Sequence, residues 1–190
     1  MAAESDIANY SVDDFVIDVN RVISEKGTGP LGLEAIGNDL RRLVMEGGNL
    51  TKQGDPSPSG KGRQLYIDPN GTFRLGIGYF PTEEPTPVHS HYRWGVECVV
   101  SGEERFTVWE RTDDNSKPGK AELKIISDGQ IRRGDVRVWY DPPKNVHRQW
   151  AKGDQQVCLA ILMGGDGQRE HHFNLEDGSY EAAPPRVIKT

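Results

Sequence analysis

Three of the five histidines stand where they could share one metal ion. His89 and His91 form a His-x-His pair in a strand-like stretch, and His147 follows in a second one. Alternate residues of a strand face the same side, so we expect the three rings to meet in one cavity. Imidazole binds iron, zinc, copper and nickel, and three protein ligands leave coordination positions open for a reactant. The pattern predicts a reactive metal centre, although a His-x-His pair alone is also typical of a surface strand.

Two short helices are predicted near the N-terminus, within residues 11–50. Apolar residues recur there near a 3.6-residue period, and Ser11 followed by Asp13 and Asp14 suits a helix N-cap. Residues 51–63 are dense in glycine, proline and serine, which predicts an exposed linker.

The rest of the chain is predicted to form short strands. Two of them flank a Pro-Asn-Gly turn at 69–71 as a hairpin. Further candidates are 95–100, 105–111, 121–127, 136–140, 146–151 and 156–163, separated by turns that include Asp128-Gly129. Strands without intervening helices favour a closed barrel or double sheet. We therefore expect one domain over 1–190, with a helical N-terminal region (1–50), a linker (51–63), a barrel (64–165) and a polar segment (166–190) that wraps the outside.

Composition narrows the class of protein. A length of 190 residues fits one domain, and a net charge of -6 with a pI near 5.4 argues against nucleic acid as a partner. No secretion signal or membrane span is recognisable, so a cytoplasmic location without a membrane partner is expected.

Cys98 and Cys158 lie in apolar runs typical of buried, reduced thiols. The oligomeric state is left open, with a homo-oligomer among the options.

Two longer motifs surround the histidines. PTPVHSHYRWGVECVVSG resembles the first cupin motif, and GDVRVWYDPPKNVHRQWA, with Gly134, Pro142 and His147, resembles the second. The resemblance implies a cupin double-stranded β-helix (jelly-roll barrel) with a short N-terminal helical region. The chain departs from the pattern at Gly95, where many cupins carry a carboxylate ligand. Near the third histidine, Lys144 and Ala151 replace the usual glycine and asparagine.

Within the cupins, the sequence is similar to the cysteine dioxygenase-like thiol dioxygenases, closest to the bacterial three-histidine members. The resemblance implies Fe(II) on His89, His91 and His147, with nickel, zinc and manganese as alternatives, and oxidation of a thiol to a sulfinate with O2. Gly95 stands where animal enzymes have a cross-linked cysteine. Arg63 matches the family's arginine that binds the substrate carboxylate, for which a planar guanidinium is suited. An ordinary surface arginine is the alternative.

The family's Ser-His-Tyr relay is missing, since the corresponding positions are Ala160, Leu162 and Gly164. Glu97 lies two residues beyond Gly95 and would point into the barrel as a base, a partner of a metal histidine or a fourth ligand. An outward Glu97 after a local bulge is the alternative.

Four further residues are weighed around the predicted centre. Tyr140 is a candidate hydrogen-bond donor to bound oxygen, with a core position as its alternative. Trp94 is expected to wall the substrate pocket, with packing alone as the alternative. His171 and His172 lie in a polar tail and are expected to face solvent, with capping of the active site as the less favoured option.

Three classes of function remain open from the sequence. The first is an Fe(II) dioxygenase acting with O2 on a small anionic substrate, either a thiol acid or an enol, diketone or aromatic compound. The second is a non-oxidative isomerase or lyase that uses the metal as a Lewis acid. The third is a barrel that binds a ligand or metal without catalysis.

Overall fold

A computed structural model describes residues 9–57, 62–81, 84–91, 93–140, 145–165 and 170–183. Two helices come first, α1 (Val12–Lys26) and α2 (Pro30–Glu46), as the periodicity predicts. Ser11 caps α1 through a reciprocal pair: its hydroxyl accepts from the Asp14 amide at 3.1 Å, and its own amide donates to the Asp14 carboxylate at 2.9 Å. Gly27, with φ of 68°, ends α1. Among the described helices, none is both long and apolar enough to cross a membrane.

Two six-stranded antiparallel sheets follow the helices. The strands are β1 (Asp55–Pro56), β2 (Gly62–Ile67), β3 (Phe73–Phe80), β4 (Val88–Ser90), β5 (Gly95–Ser101), β6 (Glu103–Arg111), β7 (Leu123–Arg132), β8 (Val136–Trp139), β9 (Val146–Ala151), β10 (Val157–Gly164), β11 (His171–Phe173) and β12 (Tyr180–Ala182). The first sheet has the order β1-β2-β3-β10-β5-β8 and the second β12-β11-β4-β9-β6-β7. From β3 to β10 the chain crosses repeatedly between the sheets. This is the jelly-roll arrangement of a double-stranded β-helix, and the predicted fold class is confirmed.

The helices cover the outer face of the first sheet. Val96, Cys98, Ala160 and Leu162 join the helical residues in one hydrophobic cluster, while the alternate residues of the same strands face the second sheet. Strands β5 and β10 are consequently buried on both faces. Close packing of α2 requires Gly37, because an added Cβ would lie 2.9 Å from Cγ1 of Val136.

Both cysteines are free and buried in this cluster, as expected. Burial raises the pKa of Cys98 to about 12 and that of Cys158 to about 11. Both thiols therefore stay protonated near neutral pH.

Several predicted boundaries differ in the structure. The predicted linker contains a 3-10 turn at Leu50–Lys52 and β1, and β2 already begins at Gly62. The predicted turn at Asp128-Gly129 is wrong, because β7 continues through it to Arg132. Gly129 of β7 is paired with Phe106 of β6, and an added Cβ at Gly129 would lie 3.1 Å from the phenyl ring. The glycine therefore leaves room for this aromatic side chain. The C-terminal segment adds strands β11 and β12 to the second sheet.

Candidate metal centre

The three predicted metal ligands converge inside the barrel. His89 lies on β4, His91 follows that strand directly, and His147 lies on β9 opposite His89. The side-chain nitrogens that could bind an ion all lie within 4.8 Å of one another. His89 and His91 are 6% exposed and His147 is 2% exposed. The alternation of β4 and its pairing with β9 thus bring the three rings together, as the sequence predicts.

Backbone hydrogen bonds orient two of the rings. Nδ1 of His89 donates to the carbonyl oxygen of Pro87 at 2.8 Å, and Nδ1 of His147 donates to that of Asn145 at 3.0 Å. With the proton on Nδ1, each Nε2 keeps a lone pair directed at the shared centre. Backbone acceptors of this kind commonly fix the tautomer of a metal-bound histidine.

The spacing of the nitrogens fits a metal ion. Nε2 of His89 lies 3.1 Å from Nε2 of His91. Two nitrogens about 2.1 Å from one ion and at right angles to each other are separated by about 3 Å. Burial lowers the pKa of His89 and, together with the charge of the His89 ring, places the pKa of His147 well below its usual value. Neutral imidazoles with converging lone pairs are the form that binds a divalent cation.

A carboxylate from the C-terminal segment lies behind His91. Oε2 of Glu170 is 4.0 Å from Nδ1 of His91, and Oε1 of Glu170 is 3.1 Å from Nε2 of His172. His172 lies on β11 directly opposite His89, and both histidines of this strand are half-buried. The expectation that His171 and His172 face solvent is therefore replaced by a position in the sheet that carries the centre. A carboxylate near the far nitrogen of a ligand imidazole raises the basicity of that ligand.

The position of the missing carboxylate ligand is filled by an aromatic ring. Gly95 is opposite Trp139 in the pairing of β5 with β8, and an added Cβ at Gly95 would lie 2.0 Å from Cζ2 of Trp139. The indole centroid is 5.3 Å from the ring of His147 and 6.0 Å from that of His91. Trp139 therefore forms a wall of the centre, and no side chain fits at 95 beside it.

Glu97 points into the barrel, which is one of its two expected orientations, and it is paired. Nε of Arg137 donates to its Oε1 at 2.6 Å, and Nη2 of Arg137 lies 3.1 Å from Oε1 of Glu104 and 2.5 Å from Oε1 of Gln149. All four side chains are buried. Burial, and then the charge of Glu97, raises the pKa of Glu104. The network joins the two sheets, and Glu97 is not part of the three-histidine ligand group found among the described residues.

The structure gives the other predicted site residues the following surroundings. The guanidinium of Arg63 donates from Nε to the carbonyl of Gln53 at 2.5 Å and from Nη2 to that of Gly54. Trp94 belongs to the helix-side cluster, against which Tyr140 packs. An added Cβ at Gly164 would lie 2.5 Å from the indole of Trp94. Pro142 and Lys144 of the second motif lie outside the described residues.

The positions matched to the relay face away from the histidines. Ala160 and Leu162 pack with the helices, so the inward side chains of β10 are those of the alternate residues, such as Leu159, Ile161 and Met163. These are apolar as well, so neither face of β10 carries a relay.

Three residues of the centre were missed by sequence reasoning: Trp139, Arg137 and Glu170. The alternation of VRVW could have placed Arg137 and Trp139 on one face, opposite Val136 and Val138. No local pattern points to Glu170, because its position depends on how the C-terminal segment joins β4.

Comparisons with known proteins add likenesses of fold. No family profile matches the sequence, and no curated protein matches it. Among solved structures, a cupin domain of Cnp3 from Schizosaccharomyces pombe is 16% identical over 55% of this chain and 60% of its own, with a TM-score of 0.41. DMSP lyase DddQ from Ruegeria pomeroyi DSS-3 is 18% identical over 50% of this chain and 40% of its own, with a TM-score of 0.36. A cupin 2 conserved barrel domain protein from Rhodopseudomonas palustris is 14% identical over 61% of this chain and 68% of its own, with a TM-score of 0.46.

The match to the first two of these structures covers less than two thirds of their own length. This chain itself provides a jelly-roll barrel with three converging imidazoles, which is consistent with a metal-dependent enzyme.

Proposed function

We propose that this protein is an Fe(II)-dependent dioxygenase that acts on a small anionic substrate, with oxidation of a thiol acid to a sulfinate as the leading reaction. The observation that carries the proposal is the group of three buried imidazoles with converging nitrogens. Three protein ligands leave positions for a substrate and O2, which a closed four-ligand structural site would not.

The charge of the ligand set supports an anionic substrate. Imidazoles do not neutralise a divalent ion, and the nearby carboxylate of Glu97 is already paired with Arg137. An ion that keeps its charge in a buried site favours a thiolate, enolate or carboxylate as its next ligand.

The protein's own residues have clear tasks in this reaction. Bound Fe(II) would supply the site for O2 and the electron transfer that activates it. His89, His91 and His147 would hold the ion, while Pro87 and Asn145 keep two of these rings in position through their carbonyls. The overall step, RS⁻ + O2 → RSO2⁻, forms two S–O bonds, breaks the O–O bond and needs no other reductant.

A non-thiol substrate is the second candidate. It is supported by the apolar inward face of β10, where Leu159, Ile161 and Met163 offer no proton relay. An enol or diketone that binds through two oxygens needs fewer such groups than a thiol, because it chelates the ion directly.

The test combines metal analysis with an oxygen electrode. The full-length protein is loaded with Fe(II) and supplied with a panel of thiol acids and diketones, with and without air. We expect oxygen uptake that follows iron content, and sulfinate as the product of the active thiol. Turnover without O2 would instead identify a non-oxidative enzyme.

Variants complete this test. His89→Ala should lose both iron and oxygen uptake. His171→Gln is a matched control, because it changes an imidazole on the adjoining strand that lies outside the ligand group and meets the ring of Tyr180 edge to face, with the ring centroids 5.6 Å apart. Unchanged oxygen uptake by His89→Ala would refute the proposal.

A further inference from the structure

We propose that the indole N–H of Trp139 is the hydrogen-bond donor that recognises an anionic oxygen of the ligand bound beside the metal. The inference rests on the proposed function, because it needs an ion held by the three histidines. It identifies a specificity-determining residue and restricts the substrate to compounds that carry a carboxylate or enolate oxygen close to the ion.

The first observation is an unsatisfied donor. Trp139 is 4% exposed, and its Nε1 is buried without a hydrogen-bond partner among the described residues. A buried N–H without an acceptor is energetically costly. Buried indole N–H groups normally have a partner, and an unpaired one beside a reactive centre calls for an explanation.

The second observation is the position of the ring. Its centroid lies 5.3 Å from that of His147 and 6.0 Å from that of His91, so the indole is within reach of a ligand bound to the same ion. Gly95 makes this position possible, because any side chain there would collide with the indole. With glycine at position 95, no carboxylate is present there and a ring that carries an N–H lies beside the centre.

The third observation is the row of residues to which Trp139 belongs. Across the first sheet, Trp139 is paired with Gly95, Gly95 with Met163, and Met163 with Arg74. The neighbours of Arg74 on β3, Phe73 and Leu75, lie in the helix-side cluster, so Arg74 is on the inward face. One inward row therefore carries the indole N–H at one end and a guanidinium at the other, where Nη2 of Arg74 donates to Sδ of Met163 at 3.6 Å.

The experiment observes the indole directly. The full-length protein is loaded with Zn(II), which is diamagnetic, and the indole ¹H–¹⁵N resonances are followed as sodium azide, a small anionic acceptor, is added. The chain has four tryptophans, and the spectrum of Trp139→Phe assigns the resonance of interest. We expect the Trp139 N–H proton to move downfield more than the other three. An unmoved Trp139 resonance at saturating azide overturns the inference.

Affinity gives a second readout. In Co(II)-loaded protein, azide binding is measured from the visible absorption bands of the metal. Trp139→Phe keeps an aromatic ring but no N–H, and should weaken azide binding by about 10- to 100-fold, as expected for a lost hydrogen bond to a charged group. Binding of pyridine, which retains no acceptor once it is bound to the metal, should be unchanged or tighter.

Trp150→Phe is the matched control, because Trp150 points away from the histidines on β9 beneath Arg105 and Arg148. It should leave azide affinity unchanged. Equal azide affinity in Trp139→Phe and the parent protein contradicts the role of Trp139 while leaving the metal centre intact. Failure of the parent protein to bind Zn(II) or Co(II) would instead refute the proposed function.

Discussion

Gly95 and Trp139 are paired across β5 and β8, and the indole of Trp139 fills the space that a side chain at position 95 would need. A Cβ there would approach Cζ2 of Trp139 to 2.0 Å, far inside van der Waals contact. The three-imidazole ligand set and the indole wall are therefore two consequences of the same glycine.

Gly95→Ala should displace the indole and disturb the centre. Overpacking of this kind costs about 1–3 kcal/mol of unfolding free energy, and we expect metal content to fall with it. Urea denaturation and elemental analysis measure both effects. Adding Trp139→Leu to Gly95→Ala should restore some of the stability, since the smaller side chain makes room.

Gly29→Ala is the control for this pair of residues. Gly29 precedes α2 with nothing within 4 Å of an added Cβ and with a negative φ, so the same substitution should cost less than about 1 kcal/mol. If Gly95→Ala proved no more destabilising than Gly29→Ala, the steric relationship with Trp139 would be wrong.

Arg137→Met should be among the most destabilising substitutions in the barrel. It leaves the buried carboxylate of Glu97 without its cation, and breaking one side of a buried ion pair costs about 3–5 kcal/mol. The double variant Glu97→Gln, Arg137→Met should recover much of that loss, because burial raises the pKa of Glu104, which keeps its proton, and no unpaired charge remains. Denaturation midpoints of the single and double variants measure the coupling, and strictly additive effects would contradict it.

Glu104 should make stability depend on pH. Its pKa is raised in the folded protein by burial, and secondarily by the charge of Glu97, above the ordinary value of 4.5. The folded protein therefore holds a proton that the unfolded chain releases above that pH, so the contribution of Glu104 to stability is lost as pH rises toward its folded pKa. Glu104→Gln removes this dependence. The free energy of unfolding of Glu104→Gln, relative to that of the parent protein, should therefore increase from about pH 5 to about pH 8.

Urea unfolding of the metal-free protein across this pH range checks the prediction for Glu104. Glu103→Gln serves as the control, because Glu103 is an exposed neighbour whose carboxylate lies 3.5 Å from Lys152. A Glu104→Gln advantage that stays constant with pH would show that the buried carboxyl does not titrate as described.

Arg63→Ala should lower stability and leave the metal in place. The guanidinium donates to two backbone carbonyls, those of Gln53 and Gly54, and their loss should cost about 1–3 kcal/mol. Thermal unfolding and metal content are the measurements. The substrate-binding role of Arg63 stays a prediction, and it would show itself differently, as a raised KM for an anionic substrate with an unchanged unfolding temperature.

The sequence alone determined the features that depend on local geometry. The period of a strand puts His89 and His91 on one side, and the motif around His147 marks it as the third ligand, although its place beside them depends on the pairing of β4 with β9. The 3.6-residue period and the capping residue Ser11 likewise predict α1. Each of these signals lies within one element or its immediate flank, so no knowledge of packing is needed.

The tertiary structure decided which face of each strand meets the metal. Strands β5 and β10 are buried on both sides because helices cover one face and the second sheet covers the other. When both faces are apolar, alternation relates residues to one another but does not show which set points inward. Ala160 and Leu162, the positions matched to the relay, therefore lie on the face covered by the helices, while Trp139 and Glu170 reach the centre through strand pairing that only the folded chain defines.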